Sequence, residues 1–199
     1  MSNYTGPKNR LARREAFDIF GRGNKLRRAT VPPGQHGPKG SRRPTDYGIR
    51  LREKQKTKRI YGIMEAQFRK YFEKATKVSG KTGEILLTLL ENRLDNIVYR
   101  LGFASTRPMA RQLVSHGHIL VDGKKVSLPS YQVRPNQTVA ITPKGAAIPA
   151  ISALLQSTEI HPPAWLDRQG PVGKVVSQPA KSGIDYPIDD QLIVEFYSR

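Results

Sequence analysis

The sequence predicts an α+β fold, mainly helical, with a helix–helix–β-hairpin unit inserted into a helical domain. Three observations predict it. Apolar residues recur at helical spacing, with Leu86, Leu90, Leu94, Ile97 and Leu101 stepping by three or four. The run His118-Ile119-Leu120-Val121-Asp122-Gly123-Lys124-Lys125-Val126 sets Asp-Gly between β-formers, a strong hairpin signal because a type I′ turn needs positive φ at both central residues. The chain ends on Leu192-Ile193-Val194-Glu195-Phe196-Tyr197, too apolar to dangle, so the tail is expected to return to a core formed earlier.

The 199 residues suffice for one or two domains. Lys and Arg number 34 against 16 Asp and Glu, a net charge of +18, which repels itself when compact and attracts polyanions. Residues 1–60 hold 17 cations against four acids, whereas 61–199 hold 17 against 12, so the front third carries most of the excess. There is no cysteine, which excludes disulfides, thiolate metal sites and cysteine nucleophiles. No apolar run approaches the roughly 18 residues of a membrane span, and Met1 to Arg14 has no apolar region of a secretory signal. These features point to a soluble, cytosolic polyanion-binding protein.

Each element follows from local chemistry. Residues 1–44 are rich in Gly, Pro and cations and poor in large apolar residues, which predicts a basic extended arm that orders on a partner. Thr45 or Asp46 caps a very basic helix to about Arg59, carrying Arg50, Arg52, Lys54, Lys56, Lys58 and Arg59 with few acids to pair them. After Gly62 a helix from Ile63 to about Lys77 places Met64, Phe68, Tyr71 and Phe72 on a core face. A long helical pattern from Glu84 to Leu101, with room for a kink, ends at Gly102. Ser105 or Thr106 then caps a helix that tolerates Pro108 in its first turn and ends at Gly117. After the hairpin, a second strand pair is expected from Tyr131-Gln132-Val133 and Thr138-Val139-Ala140-Ile141, around a turn at Pro135-Asn136. Ile148 to Leu155 reads as a short helix or strand, and Trp165 as a core anchor. The domains are thus 1–44, the arm; 45–91 plus 188–199, the helical domain; 92–155, the inserted module; and 156–187, an irregular connection.

Catalytic chemistry finds little support. His116 and His118 straddle a glycine, and with only Asp122 nearby they suit a helix cap or a phosphate contact better than a metal. No phosphate-cradling Gly-Lys-Ser/Thr loop exists, and Gly21-Arg-Gly23 lacks the third glycine of a dinucleotide fingerprint. Asp185, Asp189 and Asp190 fit a solvated turn. Nucleic-acid binding is better supported. Arg107 and Arg111 share a helix face, Lys124 and Lys125 follow on the hairpin, and the scarcity of interleaved aromatics favours backbone and shape reading of folded RNA.

Three stretches carry a family resemblance. Arg93-Leu94-Asp95-Asn96-Ile97-Val98-Tyr99-Arg100-Leu101-Gly102, with Ser105-Thr106-Arg107-Pro108-Met109-Ala110-Arg111-Gln112-Leu113-Val114 and His116-Gly117-His118-Ile119-Leu120-Val121-Asp122-Gly123, resembles the RNA-binding module of ribosomal small-subunit protein four, shared with tyrosyl-tRNA synthetases and pseudouridine synthases. Pro33-Gly34-Gln35-His36-Gly37 with Asp46-Tyr47-Gly48-Ile49-Arg50-Leu51-Arg52-Glu53-Lys54-Gln55-Lys56, and the tail Leu192 to Arg199, narrow the resemblance to the ribosomal family. Some members bind zinc through four N-terminal cysteines, and this chain has none.

The resemblance implies a bacterial or organellar ribosomal protein that binds the 5′ domain of 16S rRNA early in assembly and acts in decoding accuracy with small-subunit proteins five and twelve. The candidate rRNA-binding set is Arg50, Arg52, Lys54, Lys56, Lys58, Arg59, Arg93, Arg107, Arg111, Gln112, His116, His118, Lys124 and Lys125. Lys39, Arg42 and Arg43 fall where family members line the path by which mRNA enters. No cofactor, metal, catalytic residue or membrane partner is expected. The expected location is the cytoplasmic ribosome, or an organelle stroma or matrix. The alternatives are an rRNA-binding assembly or stress factor, and an RNA-modifying enzyme bearing the same module.

Overall fold

A computed structural model describes residues 4, 6–21, 31–39, 43–157 and 161–198. The chain divides into two compact units, Met1–Gly83 with Pro187–Arg199, and Glu84–Tyr186. Among the described residues the fold is α+β, mainly helical, with one five-stranded sheet. No helix among them is long and apolar enough to cross a membrane.

The first unit contains α1 (Lys8–Arg14), α2 (Asp46–Ile60), α3 (Glu65–Ala75) and the C-terminal α9 (Asp190–Tyr197). Thr45 caps α2, its hydroxyl accepting from Gly48 N–H, and Asp189 caps α9 through Gln191 and Leu192 N–H. α3 buries Phe68, Tyr71, Phe72 and Ala75, the face its period requires. The apolar tail returns to this core: Tyr197 lies over Phe72 with ring centroids 4.6 Å apart, and Ile193 is fully buried. The expectation of an arm without its own structure is corrected for the described residues. α1 is a short helix that buries Ala12, and Arg13 donates to the carbonyls of Val31 and Pro32 at 2.9 and 3.0 Å. Polar bonds tie down a segment whose apolar content is low.

α4 (Thr82–Glu91) begins in the first unit and runs into the second, where α5 (Leu94–Arg100) and α6 (Arg107–Ser115) follow. The single helical pattern over 84–101 is therefore two helices. Arg93 is extended (φ −69°, ψ 137°), and residues 131–133 fill the break. Leu94 N–H donates to Tyr131 O, Val133 N–H donates to Asn92 O, and Gln132 bridges Arg93. This also corrects the expected second strand pair. The backbone of 131–133 is spent on the helix break, so β3 (Thr138–Ile141) pairs instead with β1 (Ile119–Val121). The hairpin to β2 (Lys124–Lys125) forms as read, with Asp122 at φ 48° and Gly123 at φ 77°.

The stretch 156–187 is not irregular throughout. After α7 (Pro143–Ala146) and α8 (Pro149–Gln156) it contributes β4 (Leu166–Gln169) and β5 (Val172–Val175), extending the antiparallel sheet to the order β2-β1-β3-β5-β4. One face of the sheet joins Leu94, Ile97, Leu101, Ala110, Val114, Ile151 and Trp165 in a single core. β5 crosses α5 so closely that a Cβ at Gly173 would sit 2.5 Å from Leu101 Cδ1. Gly173→Ala is expected to destabilise this unit by about 1–3 kcal/mol through overpacking. Urea unfolding followed by the fluorescence of the single tryptophan, Trp165, would show a lower midpoint at unchanged slope.

Candidate nucleic-acid interface

The basic helix α2 is expected to meet phosphate because it has few acidic neighbours in sequence. In the fold its cations have carboxylate partners drawn from elsewhere. Glu15, just after α1, has a side chain only 1% exposed and accepts from both Arg52, at 3.1 Å, and Arg59. Glu195 of α9 accepts from Arg50 at 2.7 Å. Glu65 of α3 accepts from Lys54 at 2.6 Å and Lys58 at 2.9 Å. Lys56 reaches Glu53 and the carbonyl of Pro187. Lys54 is buried and lies 4.3 Å from the Phe196 ring. Of these six cations Arg52 is the most open, its side chain 37% exposed. α2 is therefore first a cationic spine that binds three other helices.

Glu65 has the most distinctive electrostatics in this unit. Partial burial pushes its carboxyl up, but bonds from Lys54, Lys58 and Tyr197 outweigh that and bring it down to about 2. Tyr197 is pushed up by burial and by this same carboxylate.

The second unit contains a second network. Arg93, fully buried, forks onto Asp95 at 3.0 and 2.7 Å, and Arg111 reaches the same carboxylate at 3.2 Å. The expectation that Arg93 meets phosphate is corrected, because no solvent reaches it. Glu91, also buried, accepts from Asn96 at 2.6 Å and Arg100 at 3.0 Å, and Arg100 extends to Asp185. Arg107 donates to Asn96 and to the Tyr186 hydroxyl, with its guanidinium 4.4 Å from the Tyr99 ring. Arg107 and Arg111 do share a helix face, but their fork atoms point into the module. Asp185 and Asp189 are exposed, as a solvated turn requires, and Asp190 alone of the three is buried. Asp185 pairs with Arg100, Asp189 caps α9, and Asp190 is buried beside Gly83.

The remaining candidates converge around the end of α6 and the hairpin. Gly117, at φ 71°, ends the helix, and His118 N–H donates to Leu113 O. The rings of His116 and His118 are 6.3 Å apart, and the Lys125 stem crosses Gly117, whose absent Cβ would lie 2.1 Å from Lys125 Cε. Gln112, His116, Lys124 and Lys125 are exposed, and His118 is half-buried. The hairpin is pinned by Asp122. Its carboxylate accepts from Thr138 N–H at 2.8 Å, Gln137 Nε2 at 2.6 Å and the Thr138 hydroxyl at 3.2 Å, and these bonds hold its pKa below the usual range.

Lys39 closes a short 3-10 turn (Gly37–Lys39) and is exposed, as is Arg43; Arg42 lies outside the described residues. Exposed cations that the sequence reading did not single out include Arg134, Lys144, Lys174 and the lysines of α3. Among the described residues no three or more His, Asp or Glu are grouped so that they could hold a metal ion.

Because Glu65 is held below its ordinary value of 4.5, it favours the fold above that pH and ceases to do so as pH falls through about 2. Thermal melts are expected to show wild type above Glu65→Gln by a constant gap at neutral pH, with the gap closing between pH 4.5 and pH 2.

Residues 3–91 match the Ribosomal protein S4/S9 N-terminal domain, and residues 92–139 match the S4 domain. Over the whole of both chains the sequence is 51% identical to a protein of Dictyoglomus turgidum named small ribosomal subunit protein uS4. It is 48% identical to proteins of the same name from Thermus thermophilus and from a Geobacillus species, again with both chains fully covered. With such likeness along its full length, the chain belongs to the family of small ribosomal subunit protein uS4.

Proposed function

We propose that this chain is a primary 16S rRNA-binding protein that nucleates assembly of the small-subunit body and contributes to translational accuracy. As a uS4 family member it is a structural, non-catalytic constituent of the small ribosomal subunit. The observation that carries the finer reading is the charge left over by the fold. Carboxylates bind the cations of α2 together with Arg100 and Arg111, while the cations Lys124 and Lys125 stand exposed beside the polar Gln112 and His116.

The mechanism is geometric and electrostatic. Lysines release counterions from rRNA phosphates, which supplies affinity. The ion-paired arginines keep each unit rigid, so that the exposed groups meet RNA at fixed spacing and hold a junction of helices in one arrangement. Proteins five and twelve are the proposed neighbours in decoding, and Lys39, Arg42 and Arg43 are proposed to flank incoming mRNA. Full-length likeness to bacterial relatives supports a place in the bacterial cytoplasmic ribosome.

With on the order of eight phosphate contacts, filter binding to a 16S 5′-domain transcript should give a log–log salt slope of roughly −6 to −7, and a slope near zero would overturn the reading. A second test separates shape from charge. Asp122→Ala makes the protein more positive yet removes the side-chain bonds that pin the hairpin turn to Gln137 and Thr138, so binding to that transcript should weaken. Tighter binding would mean that bulk charge alone governs affinity.

A further inference from the structure

We propose that the outer face of α3 is a second RNA-phosphate-tracking surface, formed by Lys70, Lys74 and Lys77; this rests on the rRNA-binding reading above. The three residues are spaced i, i+4 and i+7, so they fall in one narrow line along the helix. At about 1.5 Å rise per residue the line spans roughly 10 Å. The last of the three lies just past the helix end, where Lys77 N–H donates to Lys74 O at 3.3 Å and the turn continues in the same sense.

The opposite face of α3 is fixed in the core by Phe68, Tyr71, Phe72 and Ala75, so the lysine line cannot turn inward. All three lysines are exposed, and their ammonium groups have no hydrogen bond or ion pair among the described residues. The nearest acid on that helix, Glu73, is taken by Arg69 at 3.2 Å. The contrast lies within one unit. α2 has each of its cations matched by a carboxylate or carbonyl, whereas α3 leaves three ammonium groups in a row with none. In a chain of net charge +18 such a row adds repulsion to the free protein, which an external polyanion relieves. Lysine suits this role, since a flexible point charge follows a phosphate backbone without demanding one planar geometry.

The test uses the full chain and the 16S 5′-domain transcript. Lys70→Gln, Lys74→Gln and Lys77→Gln combined should reduce the magnitude of the salt slope by about 2 to 3 and weaken binding at least about tenfold at moderate salt. The thermal midpoint should stay at the wild-type value. The triple replacement by arginine should keep wild-type affinity. If wild type binds steeply and the triple glutamine variant matches it in slope and affinity, this surface does not meet RNA and the proposal falls while the parent reading stands. If RNA binding is unchanged while the variant loses binding to an acidic protein neighbour, the row serves protein and the proposal is likewise overturned. Wild type that fails to bind the transcript overturns the parent reading, and this one with it.

Discussion

A chain with 34 cations and 16 carboxylates folds against its own repulsion, and the placement of those few carboxylates governs the rest of the structure. Glu15 and Glu65 each take two cations, and Asp95 takes two arginines. Sharing a carboxylate concentrates the attractive terms where helices must be joined. In the first unit, α1, α3 and α9 are each tied to α2 through one acid. Among the described residues no carboxylate pairs with Lys70, Lys74 or Lys77 on and just after α3, nor with Lys124 or Lys125 of the hairpin. Those residues bear the uncompensated charge, and they are the ones that face water.

The two networks differ in energetic character. Arg50–Glu195 and Lys54–Glu65 keep one partner substantially open to water, and such pairs contribute modestly in salt. Glu91 and Asp95 are buried, with Arg93 and Arg100, and their mutual attraction must offset the loss of hydration. That offset is met by geometry. Arg93 forks onto both oxygens of Asp95, and both oxygens of Glu91 accept bonds. Buried pairs of this kind add little net stability over a hydrophobic replacement, but breaking one partner leaves a charge that nothing else satisfies. They therefore fix one arrangement of α5 and α6, which an oily contact would specify less sharply. Since α6 ends where His116, Gly117 and the Lys125 stem meet, the same network sets where the exposed groups stand.

What the sequence makes legible is what local chemistry decides. The Asp122-Gly123 turn, the Thr106 cap, the stop at Gly117 and the return of the tail all follow from residues within a few positions of one another or from plain apolarity. What it conceals depends on long-range partners. Glu15 lies 37 residues before Arg52, and Glu195 lies 145 after Arg50, so α2 reads as an unpaired phosphate-binding helix until the chain is folded. β4 and β5 are four residues each in a proline-rich stretch, too short for alternation to stand out. The break at Arg93 is equally silent, because the apolar spacing runs through it and only the backbone of 131–133 reveals it. The lysine line on α3 was readable by its spacing, but the aromatic face of the same helix gives the stronger signal.

A chemical division of labour between arginine and lysine follows from these placements. Arg50, Arg52, Arg59, Arg93, Arg100, Arg107 and Arg111 all direct a guanidinium at a group inside their own unit, and Arg168 staples the carbonyls of Leu101 and Leu154. A planar fork with several donors can satisfy two or three internal acceptors at once, and its weaker hydration lowers the cost of burying it. The ammonium groups of Lys70, Lys74, Lys77, Lys124, Lys125, Lys144 and Lys174 stay in water. Their strong hydration resists burial, and their flexible stems lose little by waiting for a partner. The exceptions on α2 fit the same logic, since Lys54 is buried only with a carboxylate and the Phe196 ring to replace its water. The arginines of α2, α5 and α6 thus build the scaffold, while most lysines outside α2, with Arg43, Arg69 and Arg134, meet the solvent, which makes recognition by this protein depend on salt while its fold depends on it much less.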